Sequence, residues 1–268
     1  MNSLEQRTTS WRRSAGRIVL GVITSGSILV VTGARAGAAD LVGATTSWTK
    51  AFEPGATAIA VASDEAHGPV LAFRNPPGNA WAKEGSLDAG WVEQDIGVRA
   101  VAVASDSHNG PLIAVLDSTG TVWAKEGSLD AGWVQEYSGV QALAVASDPH
   151  NGPLIAVLDS TGTVWAKEGS LDAGWVQEYS GVQAVGVASD ERHGPLIAVL
   201  DTGGTVWAKE GSLAAGWVEQ HTAVSALALS SDERHGPLIA VLDTGGTVWA
   251  KEGSLDAGWV LEKGADGR

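Results

Sequence analysis

Short apolar runs alternate along the chain with clusters of glycine, aspartate and serine, and the alternation keeps one period from residue 58 to residue 263. In the best-defined stretch the runs are Val140 to Ser147 (VQALAVAS), Pro153 to Leu158 (PLIAVL), Thr163 to Glu168 (TVWAKE) and Trp175 to Tyr179 (WVQEY). Turn chemistry separates them. Asp148-Pro149-His150-Asn151-Gly152 follows the first run, Asp159-Ser160-Thr161-Gly162 the second, and the loop Gly169 to Gly174 the third. The glycine of the second turn suits the left-handed conformation of a hairpin loop. No stretch has a helical period, and nothing between turns is long enough for a parallel crossover. The pattern predicts four antiparallel strands per unit.

The unit is copied. Trp-Ala-Lys-Glu-Gly-Ser-Leu begins at Trp81, Trp123, Trp165, Trp207 and Trp249, in steps of 42 residues, and a second tryptophan follows each at Trp91, Trp133, Trp175, Trp217 and Trp259. Gly110 to Ala142 recurs unchanged as Gly152 to Ala184. Four strands in about 40 residues make a propeller blade. The expected fold is therefore all-β, a five-bladed β-propeller of four-stranded antiparallel blades. The first run, rich in alanine and valine, suits the innermost strand, where blades converge and large side chains do not fit. The second and third, apolar on both faces, suit strands covered by neighbouring blades. The competing arrangement is an open β-solenoid, whose coils are usually shorter and need distinct capping repeats. Trp48 to Phe52 (WTKAF) aligns with the fourth run, so one fourth run is redundant. It and Trp259–Lys263 are both expected at the outer edge where the ring closes.

The first residues differ in kind. Arg7, Arg12, Arg13 and Arg17 precede the apolar run Ile18 to Val31, and the small residues Ala34-Arg35-Ala36-Gly37-Ala38-Ala39 follow. This is the layout of a signal peptide, cleaved after Ala36 or, preferably, after Ala38. The expected organisation is a signal peptide at 1–38, a short leader at 39–47, the propeller at 48–263 and a disordered tail at 264–268. An uncleaved membrane anchor is the alternative, for which the run is short. Arg12-Arg13 raises a twin-arginine export route, with weakly matching flanks. The expected protein is secreted, extracellular and outside the membrane after cleavage.

Charge then narrows the partners. The whole chain carries −14, and without residues 1–38 it holds 12 basic against 30 acidic side chains. That excess argues against nucleic acid and anionic lipid, whose binding needs clustered Lys and Arg. With no cysteine, disulfides, thiol chemistry and zinc-thiolate sites are excluded, and stability rests on the core.

Catalysis is not expected. An acid and a base need different environments, and near-identical blades do not supply them. No serine has a nucleophile-elbow context. The turn aspartates Asp64, Asp106, Asp148, Asp190 and Asp232 read as turn caps rather than calcium ligands, because the turns offer too few oxygens. No metal or cofactor is expected. What remains is the loop Lys-Glu-Gly-Ser-Leu-Asp-Ala-Gly-Trp, first at 83–91, which sets a cation, two carboxylates and an indole close together once per blade. Sugars are bound by such a mixture: a ring packs on the C–H face while carboxylates accept hydrogen bonds from hydroxyls. Trp81 and its copies, in mid-strand, are expected to pack between blades. For Trp91 and its copies packing and ligand contact both stand open.

The unit resembles the five-bladed lectin propellers of the tachylectin-2 and tectonin-like kind, with apolar inner strand, glycine turn, second hairpin and acidic-tryptophan segment in the same order over residues 43–263. The resemblance implies a non-enzymatic carbohydrate-binding ring with one site per blade, often selective for N-acetylated sugars. By position it carries over to Asp88 and Trp91, Asp130 and Trp133, Asp172 and Trp175, Trp217, and Asp256 and Trp259. It departs from the family in the alanine and valine of the inner strands and in Asp88-Ala89-Gly90-Trp91, which lacks an amide. The expected function is a secreted lectin-like propeller whose weak sites gain from multivalency on glycans or cell-surface polysaccharide. The alternative is a scaffold that binds other surface proteins and has no small-molecule site. Ala214 replaces the loop aspartate in the fourth full copy, so a ligand that needs this carboxylate would lose that site.

Overall fold

The computed structural model describes residues 56–263 and, as backbone, two strands nearer the N-terminus, β1 (Arg17–Thr24) and β2 (Ser27–Thr32). Blade I comprises β3 (Ala58–Asp64), β4 (Gly68–Arg74), β5 (Ala80–Glu84) and β6 (Val92–Asp95). Blade II comprises β7 (Val98–Asp106), β8 (Gly110–Asp117), β9 (Val122–Glu126) and β10 (Val134–Tyr137). Blade III holds β11 (Val140–Asp148), β12 (Gly152–Asp159), β13 (Thr163–Glu168) and β14 (Val176–Ser180). Blade IV holds β15 (Val182–Asp190), β16 (Gly194–Asp201), β17 (Val206–Glu210) and β18 (Val218–His221). Blade V holds β19 (Val224–Asp232), β20 (Gly236–Asp243), β21 (Val248–Glu252) and β22 (Val260–Lys263). Each blade is an antiparallel meander in chain order, and the whole is a five-bladed β-propeller.

Within blade III, Ala144 faces Ala156 and Ala156 faces Ala166, so small residues line up across three strands. The first strands of successive blades pack against one another. Their alanines and valines are almost fully buried from Ala100 to Ala104 and from Ala142 to Ala146, because only small side chains fit where sheets converge. Gly186 shows the limit. A Cβ there would lie 3.1 Å from Leu227 Cδ1 and 3.2 Å from Leu229 Cδ1. Leu229 stands where the other blades have Val61, Val103, Val145 and Val187, so the glycine makes room for the larger neighbour.

The turn aspartates do two jobs. Asp106 Oδ1 accepts the backbone N–H groups of His108 (2.9 Å) and Asn109 (2.7 Å), which is the expected turn cap. Its Oδ2 accepts the hydroxyl of Ser147 from the next blade. The same clasp joins Ser105 to Asp64, Ser189 to Asp148 and Ser231 to Asp190. A single side chain thus fixes a turn and staples two blades together.

The last strand, Val260–Lys263, is the outer edge of blade V, while Trp48–Phe52 lies outside the described residues. β1 pairs antiparallel with β19, bringing Arg17 opposite Ser231 and Gly21 opposite Leu227, and β2 runs alongside the first strands of blades I and II. This hairpin lies between the first strands of blades V and I. The Asp232 side chain is 22 % exposed, against 3 % for Asp190.

Candidate functional site at the blade junctions

Each fourth strand meets the third strand and the following loop of the next blade. There the second tryptophan of the repeat crosses to its neighbour. Trp133 Nε1 donates to the Gln94 carbonyl at 3.3 Å, Trp175 to Glu136 at 3.1 Å, Trp217 to Glu178 at 3.1 Å and Trp259 to Gln220 at 2.9 Å. The indole N–H is committed to the ring itself, and the half-buried indole keeps only part of its surface for anything else.

Under these indoles lies a buried lysine. Lys83, Lys125, Lys167, Lys209 and Lys251 are at most 5 % exposed. Their ammonium groups sit 4.8 to 5.3 Å from the centres of Trp91, Trp133, Trp175, Trp217 and Trp259. Each also donates to a loop carbonyl, that of Leu87, Leu129, Leu171, Leu213 or Leu255. An ammonium this buried needs a counter-charge. In two junctions the fourth strand of the preceding blade supplies it: Lys167 pairs with Glu136 and Lys209 with Glu178, all four side chains at most 2 % exposed. In the other two the buried position is Gln94 or Gln220. There burial pushes Lys125 and Lys251 down, and Asp130 and Asp256 of their own loops hold them up, with Glu84 and Asp95 adding to Lys125.

This accounts for two of the loop aspartates. Asp88, Asp130, Asp172 and Asp256 are exposed, and Asp130 and Asp256 serve as counter-charges to lysine. Ala214 occurs at the junction where Glu178 already neutralises Lys209, so the aspartate is dispensable there.

The junctions also build an aromatic wall. Tyr137 stands 5.8 Å from Trp165 and edge-on to Trp175 at 5.1 Å. Tyr179 repeats this with Trp207 at 6.0 Å and Trp217 at 5.2 Å, and His221 with Trp249 and Trp259. At the junction of blades I and II the position is Asp95. Burial raises both tyrosines, and it raises Glu136 and Glu178 despite their lysines. A groove of about 710 Å³ opens between blades III and IV, lined by Gln177, Glu178, Tyr179, Ser180 and Trp217.

Trp123, Trp165, Trp207 and Trp249 donate at 3.0 to 3.1 Å to Asp117, Asp159, Asp201 and Asp243 of their own hairpins. Blade I differs: the equivalent of Asp117 is Asn75, and the buried Trp81 Nε1 has no hydrogen-bond partner among the described residues. The tryptophans and aspartates stand out within a single repeat, whereas Tyr137, Tyr179, Glu136 and Glu178 come into place only against the neighbouring blade. Among the described residues no group of three or more His, Asp or Glu side chains is placed to hold a metal ion.

The chain matches no family model and no curated protein. Among solved structures it is similar to SapL1 lectin in complex with alpha methyl fucoside, with a TM-score of 0.56 and 12 % identity, covering 79 % of this chain and 81 % of that one. It is equally similar to BBS1N in complex with ARL6DN, with a TM-score of 0.56 and 16 % identity, over 77 % of this chain and 68 % of that one. At such identities the likeness is one of fold.

Proposed function

We propose that this chain is a secreted, non-catalytic carbohydrate-binding propeller of the lectin type, with weak sites at its blade junctions that act together on repetitive glycans. The observation that carries this reading is the aromatic wall of Tyr137, Trp165 and Trp175 and its copy at Tyr179, Trp207 and Trp217. Flat rings beside hydroxyl and amide groups, such as Ser180 and Gln177 in the groove, suit the apolar and polar faces of a sugar. The non-catalytic reading is supported by the chemistry of the junction, where the buried carboxylate of two junctions is bound to lysine. The fold shared with SapL1 lectin, whose complex contains a methyl fucoside, supports the reading.

Sites repeated around one ring raise avidity when several reach the same polymer. Glycan arrays and calorimetry on the purified protein test this, with methyl fucoside and bacterial wall polymers among the probes. Binding that weakens on Tyr179→Ala is expected; failure to bind any glycan overturns it. A second reading, a protein-binding scaffold, is favoured by the equal likeness to BBS1N in its complex with ARL6DN. It predicts a protein ligand and indifference to sugars.

A further inference from the structure

The four described junctions carry the same parts in different combinations. The buried position on the fourth strand reads Gln94, Glu136, Glu178 and Gln220, while the loop position of the next blade reads Asp130, Asp172, Ala214 and Asp256. Only between blades II and III do both positions carry a carboxylate. One of the two balances Lys167, and the other is surplus. Asp95 gives the first junction a second carboxylate, but it occupies the place of Tyr137 and removes the third ring. The glutamate ending each third strand recurs at every junction and does not distinguish them.

A second observation points to a missing donor. Glu136 Oε2 is bound to Lys167, while its Oε1, on a side chain 1 % exposed, is buried without a hydrogen-bond partner among the described residues, as are the Oε1 atoms of Gln94, Glu178 and Gln220; only at Glu136 does a second junction carboxylate, Asp172, accompany a carboxylate in this state. A buried carboxylate oxygen left in this way is costly, and a charged N–H donor meets it best. Rings beside it favour a cation as well. Tyr137 and Trp175 supply them, 5.1 Å apart at 70°, Trp175 already holding Lys167 5.3 Å from its ring centre and Tyr137 carrying no cation among the described residues.

We propose that the junction of blades II and III binds a protonated amino sugar, its ring against Tyr137 and Trp175 and its ammonium hydrogen-bonded by Glu136 and Asp172. The proposal rests on the carbohydrate-binding reading and names the substrate class for one of its sites.

Calorimetry in mildly acidic buffer with a glucosamine tetrasaccharide, all amines free, and with its fully N-acetylated counterpart tests it. The free-amine form should bind about tenfold tighter, at a single site. Asp172→Ala and Glu136→Gln should each abolish the preference. Both reproduce residues found at sister junctions, so the ring should keep its fold, as circular dichroism would confirm. Ala214→Asp, which completes the same set beside Glu178 and Lys209, should add a second site of similar affinity. Equal or tighter binding of the N-acetylated form, a preference that survives both losses, or an unchanged stoichiometry in the folded Ala214→Asp protein overturns the proposal. If neutral glycans bind and neither tetrasaccharide does, this proposal fails alone; if no glycan binds, the carbohydrate reading fails with it.

Discussion

Ser147 donates its hydroxyl to Asp106 of the preceding blade, and that carboxylate simultaneously caps the turn at His108 and Asn109. Asp106 is fully buried, and its Oδ2 accepts both this hydroxyl from the next blade and, at 3.2 Å, the side-chain amide of Asn109 from its own turn. Ser147→Ala should cost about 2 kcal/mol, the order expected when a buried charged acceptor loses one of its donors. Asp232→Asn, at the more exposed copy, should cost less. Urea denaturation of the two variants measures the difference.

Gly186 permits Leu229. Gly186→Ala places a methyl group against Leu227 and Leu229 and should destabilise by about 1–3 kcal/mol through overpacking. Adding Leu229→Val, the residue of the sister blades, should recover most of the loss. The two sites couple, and a double-mutant cycle reads the coupling directly.

Blade I invites repair. Asn75 Oδ1 accepts the Asn79 N–H at 3.0 Å, as Asp117 Oδ1 accepts Thr121 at 2.9 Å. The other terminal atom of Asn75 is an amide nitrogen, which cannot accept from an indole. Asn75→Asp should give Trp81 Nε1 its acceptor and stabilise the protein by about 1 kcal/mol, seen as a higher denaturation midpoint.

The pH profile should have a maximum. Burial raises Glu126, Glu168 and Glu210 above 4.5. Their contribution is full below that value and is lost as pH rises through the folded values. Asp64 moves the other way: burial opposes its charge, but the Ser105 hydroxyl and the amides of His67 and Ala66 outweigh this and lower it below 3.8. Asp117 and Asp159 are lowered likewise, by threonine hydroxyls, turn amides and the indole N–H prevailing over burial. Their contribution is full above 3.8 and is lost as pH falls through the folded values. Thermal melts across pH should therefore peak near the two reference values, at about pH 4 to 5, and decline on both sides.

The blade was legible in the sequence because each strand lies in one repeat and is bounded by its own turns: the four runs from Val140 to Tyr179 match the observed strands to within two residues. Turn caps such as Asp148 were legible for the same reason. The junction was not. Glu136 and Tyr137 belong to one repeat and meet Lys167, Trp165 and Trp175 of the next, and no local spacing reveals that alignment. Lys167 misleads in another way. In sequence it sits at a loop edge beside a glutamate, as an exposed lysine would, yet its stem runs under an indole and its charge is balanced from the neighbouring blade.

Binding of sugars at the aromatic junctions is read out by soaking a crystal of the protein with mixed monosaccharides. Sugar density against Tyr137 and Trp175, and against Tyr179 and Trp217, is the predicted result; sugar bound only at other surfaces, or at none, would contradict it.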